Sequence, residues 1–387
     1  MSARVLMGFA EAIPAPEALF SLRRAGHRVT LLHRAGVRRP LLWLADGAVP
    51  VPDPKRDAAG AIAAIRAAME GHDLAYALDD DMLLLMTEGG AAAEVSVHAT
   101  GARARAALDK RVQVEAARAA GLAVPETLVL DGPAPNAPLP PLPAIAKPAR
   151  AAALEGGRLA PGGARYLSEE GEMRALAADP GPAPLLVQPL IRGAGEGVFG
   201  FAHEGGIAAW SGHRRLRMMN PHGSGSSACV SVVPDEALRA GCARMMLALG
   251  WRGPFMLEFL RGEDGTPWFM ELNGRLWGSL ALARRLEHDH PAWAVRQALD
   301  PGFAPDAPPA REGLVARSLA REALHPLFVA RGPRSAFHRA GWPGLGGALR
   351  AAWTRGARSG FYGYDPSAPG FFVRDALWEL RRKVMGR

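Results

Sequence analysis

The first third of the chain alternates short apolar runs with an amphipathic segment. Residues 4–9 (RVLMGF) and 28–33 are mostly apolar, and a segment of helical period runs from Pro16 to Ala25 between them. Short apolar runs predict strands, and a period of 3.6 residues predicts a helix. The order strand, helix, strand predicts a βαβ unit. We therefore expect a Rossmann-like N-terminal domain over residues 1–105.

The loop after the first predicted strand differs from that of dinucleotide-binding domains. Residues 10–16 contain no G-x-G-x-x-G sequence. Those glycines let the backbone approach a pyrophosphate closely, so their absence argues against NAD binding. An NAD-dependent oxidoreductase nevertheless stays an alternative, because the N-terminal pattern is Rossmann-like.

Two further patterns follow along the chain. Residues 106–185 combine a predicted helix ending at Gly121, short predicted strands and a glycine-rich loop at 155–163, which is typical of a small lid subdomain. Residues 186–303 contain the densest predicted strands, which indicates a larger antiparallel sheet. The predicted fold class is α/β at the N-terminus and α+β in the two units that follow.

Composition restricts the class of protein. The chain has 387 residues, 49% hydrophobic and 22% charged, which is typical of a globular protein with more than one packed unit. No apolar run reaches the roughly 18 residues of a membrane helix, and Glu11 interrupts the N-terminal apolar stretch. We expect a cytoplasmic protein without a transmembrane segment. Cys229 and Cys242 are too few for a disulfide framework.

The net charge of +8 is concentrated in residues 304–387, where Arg and Lys outnumber Asp and Glu by 14 to 6. The rest of the chain is balanced, so we expect no nucleic-acid partner. This basic segment is predicted to be a mostly helical extension. At helical spacing its last part places apolar residues on one side, namely Phe372, Ala376, Leu380 and Val384. Packing on the body, a homodimer contact, and docking to an acidic carrier protein or anionic membrane are the alternatives.

Lysine and asparagine are rare in this chain. Lysine occurs only at positions 55, 110, 147 and 383, and asparagine only at positions 136, 220 and 273. Because arginine supplies nearly all other positive charge, each remaining lysine is a candidate for a site that requires an ammonium group.

Two carboxylates lie within apolar predicted strands. Glu258 (FMLEFL) and Glu271 (WFMEL) are surrounded by large apolar residues, and Asn273 follows Glu271 on the same strand face. Oxygen ligands on adjacent strands suit Mg²⁺ ions that bridge nucleotide phosphates. Arg275, at the same spacing, would place a guanidinium beside the transferred phosphate. The alternative is that these charges pair with each other or face solvent.

The segment Glu271-Leu272-Asn273-Gly274-Arg275, preceded by the strand that carries Glu258, resembles the metal-binding signature of the ATP-grasp superfamily. The resemblance extends to residues 108–125 and 145–148 and covers about residues 100–300. Within the superfamily, the chain is most similar to carbamoyl-phosphate-synthase-like bacterial ligases. That similarity is carried by residues 213–217, 223–227, 249–251 and 273–279.

The resemblance implies an ADP-forming ligase that joins a small-molecule or carrier-bound carboxylate to an amine or similar nucleophile through an acyl phosphate. It implies ATP and Mg²⁺ as cofactors, with Mn²⁺ as an alternative ion held by the same residues. An ATP-binding regulatory or scaffold protein without turnover is the alternative function. By this resemblance ATP would contact Lys110, Lys147, Gln188, Ile191 and Glu196, and the metal would be held by Glu258, Glu271 and Asn273.

Arginines alternate along a predicted strand next to this signature. Arg215 and Arg217 would share one face, where guanidinium groups can hold a carboxylate or an acyl phosphate bidentately. With Arg275 they are the candidate catalytic residues. An exposed basic strand face is the alternative. The loop at 222–227 either presents backbone N–H groups to an anion or is a simple hairpin loop.

Overall fold

The computed structural model describes residues 2–90, 95–97, 100–160, 162–334, 336–339, 341–353 and 358–385. Within these ranges the chain forms an N-terminal parallel sheet, a small antiparallel sheet and a large, mostly antiparallel sheet. In the same residues, no helix combines the length and the apolar character that crossing a bilayer requires. The predicted α/β start followed by α+β units is confirmed.

The N-terminal sheet has the strand order β3-β2-β1-β4, and all its pairs are parallel. Residues 5–7 of the central strand are fully buried because helices cover both faces of the sheet. The predicted βαβ unit is thus present with bounds close to those predicted. The elements are β1 (Arg4–Gly8), α1 (Ala15–Arg24), β2 (Arg28–Arg34), a 3₁₀ helix (Pro40–Trp43), β3 (Gly47–Val51), α2 (Ala58–Met69), β4 (Leu74–Ala77) and α3 (Asp80–Glu88).

The small unit contains an antiparallel sheet with the order β5-β10-β6-β9 and a separate two-stranded ribbon, β7-β8. The ribbon lies within the predicted glycine-rich lid loop, and the Gly157 carbonyl accepts a hydrogen bond from the Ala58 N–H of α2. The elements are α4 (Gly101–Leu108), α5 (Lys110–Ala119), β5 (Leu128–Leu130), β6 (Ala144–Pro148), β7 (Leu154–Glu155), β8 (Arg158–Leu159), β9 (Arg165–Leu167), α6 (Glu170–Ala178) and β10 (Leu185–Pro189).

The large sheet has the order β15-β14-β11-β12-β13-β16-β17. Phe199 and Phe201 of its buried face, with Trp277 from the segment after β15, share one apolar core with the N-terminal unit. The elements up to residue 303 are β11 (Gly193–His203), β12 (Gly206–Asn220), β13 (Ser224–Val232), α7 (Glu236–Ala248), β14 (Gly253–Gly262), β15 (Pro267–Asn273), α8 (Leu280–Arg285) and α9 (His290–Leu299).

The C-terminal segment adds strands to the large sheet as well as helices. Its short strands pair with β13 and with each other, and three-residue strands carry too little alternation to be recognised in a sequence. The elements are β16 (Val315–Arg317), α10 (Leu319–Ala330), α11 (Ala336–Arg339), α12 (Leu345–Trp353), β17 (Ser359–Phe361) and α13 (Phe371–Met385).

Helix α13 packs against the body along most of the predicted apolar side. Ala376 is buried, Phe372 and Leu380 are half-buried, and Val384 is 65% exposed. The packed face also includes Asp375, whose carboxylate accepts two hydrogen bonds from the buried Arg39 guanidinium. The contact of α13 with the body is thus partly apolar and partly an ion pair.

Candidate active site

A cleft of about 820 Å³ lies between the small sheet and the large sheet. Its charged lining comes from both units, since α5 and β6 contribute cations while β12, β14 and β15 contribute both signs of charge. Seven of the residues predicted from the sequence as site residues line it, namely Lys110, Lys147, Ile191, Arg215, Arg217, Glu258 and Glu271.

The two carboxylates face each other on neighbouring strands. Glu258 and Glu271 are directly paired in the antiparallel register of β14 and β15. Asn273 lies two residues beyond Glu271, opposite Met256, and therefore on the same face of the strand pair. Its side chain is buried and donates a hydrogen bond to the Met256 sulfur at 3.3 Å, so it lies deeper than the two carboxylates.

Both carboxylates are ion-paired. Lys110 Nζ lies 3.0 Å from Glu271 Oε2, and Arg215 contacts Glu258. Lys110 is the first residue of α5, which Asp109 caps through the N–H of Arg111. The small unit therefore places Lys110 directly against strands β14 and β15 of the large sheet. We call this strand pair, with Glu258 and Glu271, the carboxylate edge.

The electrostatics of the cleft leave an excess of positive charge beside Glu271. Burial opposes ionisation of Glu271, but Lys110, Lys147 and Arg275 outweigh it and lower its pKa to about 2. Burial and the charge of Lys110 lower the pKa of Lys147 to about 8. Within the described ranges, no carboxylate lies at ion-pair distance from Lys147. This half-buried ammonium is thus placed to receive an anion.

Arg275 lies outside the lining of the cleft. Its Nη2 donates to Asp80 Oδ2 at 3.1 Å, at the start of α3. The Glu271 charge still raises the pKa of Arg275, after the larger opposing effect of burial and the favourable effect of Asp80. Sequence reasoning missed Asp80, although residues 79–81 (DDD) directly follow a predicted strand.

The segment that contains Gln188 and Ile191, two of the predicted ATP contacts, forms another wall of the cleft. Ile191 lines it, together with Pro189 and Leu190. Gln188 is buried and donates from Nε2 to Thr127 Oγ1 at 2.8 Å. Its Oε1 has no hydrogen-bond partner among the described residues, which leaves one buried acceptor at this wall.

Glu196 lies outside the cleft. Its carboxylate accepts hydrogen bonds from Arg214 at 2.8 Å and Arg261 at 2.7 Å, and it lines a separate pocket. Successive side chains of a strand point to opposite faces, so Gly195 faces the cleft and Glu196 faces away. We leave Glu196 out of the site. Glu263, at the turn after β14, lines the cleft and was missed because turn carboxylates are usually solvated.

The arginines of β12 divide between the two faces of the sheet. Arg215 and Arg217 both line the cleft, with register shifts on either side of Arg217. Arg217 Nη1 lies 2.5 Å from Glu322 Oε2, an oxygen shared with Arg317. Because two guanidinium groups share one carboxylate, this wall also has excess positive charge.

The residues at the carboxylate edge fit a magnesium ion held jointly with phosphate groups. In the part of the chain that the structure describes, no three His, Cys, Asp or Glu side chains converge on one point. Mg²⁺ characteristically takes one or two carboxylates and completes its octahedron with water and substrate phosphates. Glu258, Glu271 and the Asn273 amide match that requirement, and Lys110 and Arg215 can move from the carboxylates to phosphate oxygens.

Solved structures with the same fold include enzymes that bind ATP. The L-amino acid ligase from Bacillus licheniformis is 17% identical, with a TM-score of 0.62 over 80% of this chain and 77% of that one. Biotin carboxylase from Campylobacter jejuni, solved as a β,γ-ATP complex, is 18% identical. Its TM-score is 0.59 over 81% of this chain and 74% of that one. Carboxyaminoimidazole ribonucleotide synthase from Aspergillus clavatus, complexed with ATP, is 16% identical, with a TM-score of 0.61 over 82% of both chains.

No protein-family model and no curated protein matches the sequence of the chain. The identities to the solved structures are low, so the likeness lies in the fold. The chain shares the fold of these enzymes, which agrees with its resemblance to ATP-grasp proteins in sequence.

Proposed function

We propose that the protein is an ATP-dependent ligase that joins a carboxylate to an amine and forms ADP and phosphate. The observation that carries this proposal is the meeting of Lys110 and Lys147 with Glu258 and Glu271 across one cleft. Cations suited to phosphates and oxygen ligands suited to Mg²⁺ are the two requirements for handling a nucleoside triphosphate. The fold shared with ATP-bound enzymes supports the same class.

Each wall of the cleft has a role in this proposal. Lys110 and Lys147 neutralise phosphate oxygens, and Ile191 packs against the adenine while Gln188 supports that wall from behind. Glu258, Glu271 and Asn273 hold Mg²⁺, or Mn²⁺ as an alternative. When bound, the ion neutralises the charge that develops on the phosphates. Arg275 adds positive charge behind Glu271.

The reaction proceeds in two displacements. An oxygen of the substrate carboxylate attacks the γ-phosphorus, a P–O bond forms, and the bond to the β-phosphate oxygen breaks with ADP as leaving group. The amine nitrogen then attacks the acyl carbon. The bond between that carbon and the phosphate oxygen breaks, phosphate leaves with the bonding electrons, and the nitrogen loses a proton. Arg215 and Arg217 hold the carboxylate and then the acyl phosphate, which keeps both partners in position.

A coupled assay of ADP and phosphate release tests the proposal. The protein is mixed with ATP, Mg²⁺ and pooled carboxylates and amines, and sustained ADP release over many turnovers is expected only when both pools are present. Glu271→Gln should reduce the rate at least about 100-fold, because it removes a charge that holds the metal. Glu204→Gln makes the same change in an exposed carboxylate outside the cleft and should leave the rate unaltered.

The assay also separates the alternatives. ATP binding without substrate-dependent ADP release would favour a regulatory or scaffold protein. NADH binding without ATP binding would favour an oxidoreductase. Either result would overturn the ligase proposal.

A further inference from the structure

Four rings form one wall of the cleft, and two of them belong to the C-terminal segment. Tyr166 comes from β9, His222 from the turn after β12, His338 from α11, and Trp342 from the loop that follows. The ring centroids lie 5.1 Å apart for Tyr166 and His338 and 4.7 Å apart for His222 and each of His338 and Trp342. We refer to these residues as the ring wall.

The ring wall is held in place by hydrogen bonds. Trp342 Nε1 donates to the Val329 carbonyl at 3.0 Å, and the Tyr166 hydroxyl donates to the His222 carbonyl at 3.0 Å. His222 Nε2 accepts the backbone N–H of Arg334 at 2.9 Å. Because the rings are fixed by backbone groups of separate segments, the wall is organised before any ligand arrives.

The imidazoles of this wall are neutral. His222 Nε2 accepts a hydrogen bond, and Nδ1 lies 2.9 Å from the acceptor Asn220 Oδ1, which together fix the neutral tautomer with the proton on Nδ1. Burial and Arg334 lower the pKa of His222, and burial and His222 lower the pKa of His338. Neutral rings offer a ligand ring edge-to-face and offset-stacked contacts.

The lining of the cleft changes character along β12. Arg215 and Arg217 are cationic, Met218 and Pro221 are apolar, and His222 begins the ring wall. Five residues separate Arg217 from His222, which at about 3.3 Å per residue is at most about 16 Å of strand. Because the arginine side chains and the rings line the same cleft, a carboxylate whose ring lies a few methylene groups away can contact both.

We propose that the acyl substrate of the ligase is a carboxylate that carries an aromatic ring, with the carboxylate at Arg215 and Arg217 and the ring against the ring wall. This inference rests on the proposed function, because it assigns the acyl substrate to the arginine side of the cleft. Aromatic rings gain from edge-to-face contact beyond the apolar area they bury. A saturated ring of the same size gains only the burial.

Matched ligands test this preference. Binding of 4-phenylbutanoate and 4-cyclohexylbutanoate is measured by calorimetry in the presence of Mg²⁺ and a non-hydrolysable ATP analogue. The phenyl compound is expected to bind about threefold to tenfold more tightly. Trp342→Leu keeps an apolar side chain but removes the ring, and it should abolish the difference. His338→Leu should reduce the difference.

The control variant is Trp43→Leu, which changes a 74% exposed tryptophan outside the cleft and should keep the preference. Equal affinities in the unaltered protein, absence of binding by both compounds, or a preference that survives Trp342→Leu would each overturn the inference. The proposed function is judged separately. ADP release with non-aromatic carboxylates would leave the ligase standing without this specificity, and failure of the ATP analogue to bind would remove both.

Discussion

Charged side chains are concentrated in two regions of the molecule, and their partners differ. At the contact of α13 with the body, Arg39 and Asp375 are paired with both side chains at least 88% buried, and Arg321 pairs with Glu379 at 2.9 Å. In the cleft, cations outnumber carboxylates, and Lys147 is placed beside another lysine. In the first region each of these arginines has its own carboxylate, whereas the second region has excess positive charge that can receive an anion.

The pairing of charges in these two regions distinguishes a structural ion pair from a binding site. A buried pair satisfies its own charges and has nothing to gain from a ligand. A half-buried cation whose pKa is lowered by burial and a neighbouring cation lies in an unfavourable environment that an anionic ligand relieves. Variants in the α13 contact should therefore alter stability, and variants in the cleft should alter binding.

The largest effect is expected from Asp375→Ala. It leaves the buried guanidinium of Arg39 without its carboxylate partner, and breaking a buried pair in this way costs about 3–5 kcal/mol. Chemical denaturation should show that loss, while the ATP affinity of the folded protein stays unchanged.

The matched control for that variant is Asp73→Ala. Asp73 pairs with Arg4 at 2.8 Å, but both side chains are exposed, so the expected loss is much smaller than that of Asp375→Ala. Equal losses for the two aspartates would contradict a structural role of the α13 pair.

The next effect is expected from Lys147→Ala. Removing a charged hydrogen-bond donor to the triphosphate should weaken ATP binding about 10- to 100-fold in calorimetry. The free energy of unfolding should stay constant or rise, because a poorly compensated cation is removed. Lys55→Ala changes an exposed lysine and should alter neither quantity. An unchanged ATP affinity in Lys147→Ala would remove Lys147 from the site.

The lowered pKa of Lys147 predicts that both stability and ATP affinity depend on pH. Its folded-state pKa of about 8 lies below the ordinary value of 10.5, so the unfolded chain binds more protons between those values. The Lys147 contribution to stability therefore rises with pH in that window. Binding of ATP requires the ammonium form, whose fraction falls from about one half at pH 8 to about one eleventh at pH 9, so ATP affinity should fall about fivefold.

Lys147→Arg is the control for this pH dependence, since a guanidinium stays protonated throughout the range. ATP affinity measured by calorimetry should become nearly independent of pH in that variant. The same slope in both proteins would assign the titration to another group.

The sequence predicted the parts of the fold that depend on local pattern. The βαβ start agrees closely with the predicted positions, because strand and helix periods differ clearly over its residues. The sequence also placed Glu258 and Glu271 on neighbouring strands. It could not give the ion pairs of these carboxylates with Lys110 and Arg215, because those partners come from distant segments.

Side-chain direction and long-range pairing account for the remaining differences. Glu196 was predicted to contact ATP, but its neighbour Gly195 lines the cleft instead. Adjacent residues of a strand point to opposite faces of the sheet, so an error of one residue in position moves a side chain to the other face. The ring wall unites positions 166, 222, 338 and 342, whose proximity follows from the docking of the C-terminal segment. No local pattern in the sequence encodes that contact.

The smallest effect is expected from Tyr166→Phe. This variant tests an uncharged contact, in contrast to the charged contacts of α13 and of the cleft. The variant keeps the ring but removes the hydroxyl that donates to the His222 carbonyl, the bond that joins the small sheet to the turn after β12. A net hydrogen bond of this kind contributes about 0.5–1.5 kcal/mol, less when partly exposed. Hydrogen exchange in β9 should therefore accelerate no more than about tenfold, while global stability and ring preference remain. Unchanged exchange in β9 would show that the small sheet is held by other contacts.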